Sequence, residues 1–102
     1  MASAFNSLRS FVALMAAASC VTAFAQAGNV DTGRQKAQAC AVCHGPTGIS
    51  ATPDAPNLAG QPAIYVAAQL KAYRNGSRKH EVMAVMAKPL SDDDIAHLAA
   101  WY

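Results

Sequence analysis

Cys40-Ala41-Val42-Cys43-His44 constrains this chain more than any other feature, because two thiols three residues apart, followed at once by an imidazole, have few uses. A thioredoxin-type redox pair shares the cysteine spacing but needs a preceding strand in an α/β setting, and half of a zinc site needs two further Cys or His ligands. His80 and His97 lie 37 and 54 residues beyond Cys43 and lack paired ligand spacing. The remaining chemistry is covalent haem attachment, for which C-x-x-C-H is the pattern. On a helical turn a spacing of three puts both sulfurs on one side, where they add to the two vinyl groups as thioethers. The next residue then offers its imidazole to the iron. One haem c bonded to Cys40 and Cys43 and ligated by His44 is the expectation.

The first quarter of the 102 residues reads as an export signal rather than as part of a domain. Arg9 supplies a positive start, the run from Phe11 to Ala18 is apolar and uncharged, and small residues follow through Ala23, Ala25 and Ala27. Cleavage after Ala27 leaves a polar start at Gly28-Asn29-Val30; cleavage after Ala25 is the close alternative. As an uncleaved anchor the apolar run falls short of the ~20 residues that span a bilayer. Ala17-Ala18-Ser19-Cys20 matches a lipoprotein signal only loosely. The expected organisation is a signal peptide at 1–27 and one domain at 28–102 in the periplasm, not membrane-spanning once the signal is gone.

About 75 residues bury only some 60% of their unfolded surface, so a domain of this length needs help. Disulfides do not supply it, since Cys20 leaves with the signal and Cys40 and Cys43 close only a four-residue loop. A large, mostly apolar ring bonded into the chain does. Residues 28–102 carry seven cations, Arg34, Lys36, Lys71, Arg74, Arg78, Lys79 and Lys88, against six carboxylates. So small a balance does not imply nucleic acid as a partner.

Three helices are expected, with no competing strand pattern, no internal repeat, and one long proline-bearing loop. The first starts at the cap candidate Asp31 and runs to the cysteines, ended by Gly45-Pro46. The second follows Gly60 with Pro62 in its first turn, Val66, Leu70 and Tyr73 on one face, and Asn75-Gly76 as its stop. The third has Ser91 as N-cap with Asp94 three residues on, then Ile95, Leu98, Ala99 and Tyr102 at helical spacing. Asp92, Asp93 and Asp94 fit a helix dipole better than a metal ion. A sixth iron ligand must come from across the ring, where spacing alone leaves Met83, Met86 and His80 in competition.

Beyond C-x-x-C-H-G at 40–45, the chain carries Pro56-Asn57-Leu58-Ala59-Gly60-Gln61, Tyr65, Gln69-Leu70, Gly76-Ser77-Arg78 and Met83. It ends on Leu90-Ser91-Asp92-Asp93-Asp94-Ile95-Ala96-His97-Leu98-Ala99-Ala100-Trp101-Tyr102. Over nearly all of 31–102 it resembles the single-haem class I cytochromes c, most nearly the cytochrome c4 and c553-like group. The resemblance implies a small all-α fold of about three to four helices wrapped around one covalently attached haem. It implies Met83, seven residues before Leu90, as the second axial ligand, with Met86 packing near the ring edge. It further implies that the Pro56 carbonyl accepts the Nδ1 proton of His44 and that Leu58 packs on the proximal face. Gly33 and Ala37 on the first helix would meet Leu98 and Trp101 on the last.

With both axial positions filled no site remains for a substrate, so the expected function is one-electron transfer between respiratory-chain partners and not catalysis. The alternatives are a haem subunit of a periplasmic dehydrogenase or terminal oxidase, or a gas sensor or enzyme whose methionine is displaced. Cytochromes c4 join two such domains in tandem, whereas this chain ends after one; a single-haem unit is expected, with a dimer or a subunit of a complex left open. Lys71, Arg74, Arg78 and Lys79, at the end of the second helix, are candidates for steering redox protein partners toward the haem edge.

Overall fold

The computed structural model describes residues 27–102, so most of the expected signal peptide lies outside the described residues. Within them are five α-helices and one 3-10 turn, with no strand. The all-α reading holds, with more pieces than the three to four helices expected.

Helix α1 (Val30–Lys36) begins one residue before the expected cap. Asn29, not Asp31, is the N-cap: its Oδ1 accepts the Thr32 amide proton at 2.8 Å, while Asp31 takes the acidic first-turn position that the helix dipole favours. The helix does not run unbroken to the cysteines. A 3-10 turn at Ala37–Ala39 tightens the chain, with the Cys40 amide bonded to the Ala37 carbonyl three residues back. The short helix α2 (Ala41–His44) follows and ends at Gly45.

After the long loop, α3 (Ala63–Asn75) starts with Pro62 at its N-cap, one place ahead of the first turn, and stops at Gly76 as its composition predicts. Helix α4 (Glu81–Ala87) has no counterpart in the sequence reading. Helix α5 (Asp92–Trp101) opens with the expected capping box: the Ser91 hydroxyl accepts the Asp94 amide proton and the Asp94 carboxylate accepts that of Ser91, both at 3.0 Å.

The core sits where α5 meets α1 and α3, with α4 packed against α3. Ile95, Leu98 and Ala99 on α5 are buried, together with Val66 on α3, Ala37 in the 3-10 turn and Ala87 on α4. Half of these six are alanines. Burying Ile95, Leu98 and Val66 supplies about 1.5–3 kcal/mol each, a modest reserve for a domain of this length.

Close approach compensates for small side chains at the crossing of α1 and α5. A Cβ at Gly33 would overlap the His97 carbonyl oxygen and lie 3.0 Å from Trp101 Cβ, so the two backbones touch there. Of the expected Gly33 and Ala37 contacts with Leu98 and Trp101, the Gly33–Trp101 approach is explicit. The crossing is locked by Lys36 Nζ on Asp94 Oδ1 at 2.6 Å and by the Asn29 amide donating to His97 Nδ1 at 2.8 Å. Arg74 of α3 ties in the other side, donating to the Leu90 carbonyl at 3.0 Å and to Asp92 Oδ1 at 2.6 Å.

Gly33→Ala is expected to destabilise the protein despite the roughly 1 kcal/mol that alanine gains over glycine inside a helix. Separating two backbones in contact costs about 1–3 kcal/mol in strain and lost packing, so a net drop in Tm of several degrees should appear in thermal melts.

Acid should also find this crossing. Lys36 and the Ser91 amide hold the Asp94 carboxyl down at about 2. A carboxylate with a depressed folded value contributes stability above its unfolded value of ~3.9, and loses it as pH falls from about 5 toward 2. In acid titrations Asp94→Asn should show a flatter fall in stability over that window than the wild type, and high salt should shrink the difference.

Candidate functional site

The cysteines and histidine share one turn of backbone. His44 N–H bonds the Cys40 carbonyl at 2.9 Å and Gly45 N–H the Ala41 carbonyl at 2.9 Å, so 40–44 is helical despite its brevity. Residues three apart on such a turn lie on one face, and both thiols are free. Cys43 is exposed and Cys40 half-buried, and burial pushes the Cys40 thiol up from its ordinary value.

His44 is the one buried polar residue among those described, 7% exposed. Its Nδ1 lies 2.8 Å from the Pro56 carbonyl oxygen, which has only lone pairs to offer, so Nδ1 carries the proton and donates. The other ring nitrogen, Nε2, is left with a lone pair.

The loop that carries Pro56 is folded back on itself by backbone bonds. The Gly48 carbonyl accepts from both Leu58 N–H at 2.7 Å and Ala59 N–H at 3.0 Å, and Ala51 N–H reaches the Cys43 carbonyl at 3.1 Å. Asn57 Oδ1 accepts the Ser50 amide proton at 2.6 Å, immediately beside Pro56. Leu58 is half-buried in the same clasp. Gly48 has φ +82, and a Cβ there would lie 2.8 Å from Tyr102 Cδ1, so a side chain is excluded both by backbone and by space.

Tyr102 thus closes the site from the far end of the chain. Its carbonyl accepts the Gly60 amide proton at 3.0 Å, and its hydroxyl is buried beside Cys40 without completing a hydrogen bond. Burial, more than the neighbouring sulfur, raises the Tyr102 hydroxyl above the ordinary phenol value. The sequence puts Tyr102 on a helix face and Asn57 within a motif, but no sequence pattern assigns either of them, or Gly48, a role in the site. Their partners are distant in sequence, so no local pattern marks them.

Met83 stands apart from this cluster, half-buried in the first turn of α4, which packs on α3. Met86 is more exposed, at 38%. His80 does not join them as a third donor: its Nδ1 accepts the Met83 amide proton at 3.3 Å, making it the N-cap of α4.

The four basic candidates divide. Arg74 is fastened to Leu90 and Asp92, and it holds the Asp92 carboxyl below its usual range. Arg78 lies 4.8 Å over the Tyr73 ring and donates to Gln69 Oε1 at 2.6 Å. Lys71 and Lys79 are exposed and form no ion pair among the described residues.

The donor set, two free thiols on one helical face and a buried imidazole with only Nε2 left to bind, fits haem c. The family model for cytochrome c matches residues 30–101. The chain is 46% identical over 79 residues to cytochrome c-554(548) of Halomonas halodenitrificans, covering 74% of this chain and 95% of that one. It is 42% identical over 78 residues to cytochrome c4 of Thiocapsa roseopersicina, and 41% over 66 residues to the thiosulfate dehydrogenase electron acceptor of Stutzerimonas stutzeri. These matches cover 76% and 62% of this chain, but only 40% and 31% of the relatives' lengths.

The chain belongs to the cytochrome c family. It is a class I c-type cytochrome with covalently bound haem c, an electron-transfer protein and not an enzyme.

Proposed function

We propose that residues 28–102 form a periplasmic single-haem carrier, exported by a signal peptide at 1–27, that passes one electron at a time between respiratory-chain proteins. Cys40 and Cys43 hold the haem, His44 and Met83 are its axial ligands, and Pro56 and Leu58 support the proximal side. The observation that carries this reading is the His44–Pro56 hydrogen bond, which fixes the tautomer and leaves Nε2 for the iron.

The haem supplies reversible one-electron exchange at iron. The chain's part is to hold the group still and tune it. Donation from Nδ1 makes the imidazole a stronger electron donor, favouring the ferric state, whereas a thioether opposite favours the ferrous state. Gly48, Asn57 and Tyr102 keep the loop in place, so His44 need not reorient as the charge on iron changes. No helix among the described residues is long and apolar enough to cross a membrane.

A place beside a periplasmic dehydrogenase is the second reading. It is supported by relatives in Stutzerimonas stutzeri and Thiomonas intermedia named as electron acceptors of thiosulfate dehydrogenase. Either way, Lys71 and Lys79 are the cations best placed to steer an acidic partner; Arg78 contributes a charge already held against Tyr73, and Arg74 one offset by Asp92.

Replacing His44 with alanine should nearly abolish holoprotein. Met83→His should keep the haem but lower the reduction potential markedly, as measured by redox titration, whereas Met86→His should leave it close to wild type. The opposite pattern would transfer the ligand role to Met86.

The electron-transfer rate with an acidic partner should fall as salt rises in the wild type and depend less on salt in Lys71→Gln/Lys79→Gln, as stopped-flow measurements across ionic strength would show. Equal salt dependence would make these lysines ordinary surface.

A further inference from the structure

Helix α4 has only seven residues, and Ala87 is its one buried side chain. A helix so short does not hold its shape alone, because one turn's hydrogen bonds scarcely offset the dihedrals fixed to form it. Its first turn carries Met83, so whatever stabilises that turn sets where the thioether lies.

His80 does so in three ways. Its extended backbone, φ −158 and ψ 127, lets the chain enter the helix while its carbonyl accepts the Ala84 amide proton at 2.9 Å. Its Nδ1 accepts the amide proton of Met83 itself at 3.3 Å. Its ring meets Tyr73 of α3 edge-on, with centroids 6.5 Å apart and planes at 75°. Tyr73 is in turn covered by the Arg78 guanidinium, which Gln69 secures. The cap is therefore braced against α3, the longest helix among the described residues. Serine, threonine, aspartate or asparagine would cap as well but would not reach Tyr73 with an aromatic edge.

We infer that His80 is a positioning residue for the axial methionine: by capping Met83's own amide and bracing the cap on Tyr73, it holds the thioether on the iron. The inference rests on Met83 being the ligand. Helix fraying and ligand release are then linked equilibria, so a protein without the cap spends more time with the sulfur off, and an external ligand binds it more tightly by the same factor.

Ferric holoprotein titrated with imidazole reads this directly, following the weak far-red band that reports sulfur on ferric iron. His80→Ala should bind imidazole about fivefold more tightly, the equivalent of the roughly 1 kcal/mol that a lost N-cap costs. His80→Phe, which keeps a ring beside Tyr73 but has no acceptor, should shift the same way. His80→Asn, which restores an acceptor, should return most of the affinity change. Wild-type affinity in both His80→Ala and His80→Phe would overturn the inference, as would failure of His80→Asn to recover. A far-red band that survives in Met83→Leu would instead refute Met83 as ligand, an outcome read in a different variant from those that test the cap.

Discussion

The hydrogen bond from His44 Nδ1 to the Pro56 carbonyl is the tie on which the rest of the site depends, because it is the bond that fixes the imidazole itself against the loop. On one side stands a helical turn of four residues, α2; on the other, a loop with no regular structure. Burying an imidazole costs several kcal/mol unless its polar atoms are matched, so once His44 is buried the loop must bring a carbonyl to it. Gly48 and Asn57 then become necessary. They hold the loop's two limbs together, and Tyr102 fits against Gly48 only because no side chain stands there.

How far this was legible in the sequence follows from the range of each interaction. The start of α5 was readable because a capping box is complete within four residues, and the stop of α3 because Asn75-Gly76 acts locally. The cap of α1 lies two places before Asp31: both Asn29 and Asp31 are good cap residues, and Asn29 is tied in by His97, 68 residues away, which accepts its amide proton. Helix α4 is not legible in the sequence, because Glu81–Ala87 carries Val82 and Val85 on its exposed side and is capped by a histidine, which belongs to no ordinary start signal. The cysteine and histidine positions were readable from spacing, whereas Pro56 came only through family resemblance. Nothing local links a proline carbonyl to a histidine twelve residues earlier.

Charge shows the same division between local pattern and tertiary use. Lys71, Arg74, Arg78 and Lys79 look alike in sequence as a basic run at a helix end. The fold assigns them different work: Arg74 bridges α3 to the entrance of α5, and Arg78 covers Tyr73. Arginine suits both tasks, having a planar fork for two acceptors and a flat cation for an aromatic face. The lysines, as compact, well-hydrated charges, are the ones left to project a field into solvent. A basic cluster is therefore better counted by what its members already hold than by its sum.

The core explains why the two halves of the molecule should differ in stiffness. Helices α1 and α5 touch backbone to backbone at Gly33 and share the Lys36–Asp94 and Asn29–His97 contacts, so opening that crossing breaks several interactions at once. Helix α4 is held by its packing on α3, by Ala87 and by its caps, and can loosen while the crossing stays intact. In the proposed ligand arrangement the proximal imidazole belongs to the rigid half and the thioether to the looser one. The Fe–S bond then does part of the work of ordering α4, and α4's caps do part of the work of keeping that bond: each raises the other's occupancy, because both favour the same closed arrangement. A domain with three alanines among its six buried apolar residues has little packing with which to order α4 otherwise, which is why the single capping histidine carries so much of that coupling.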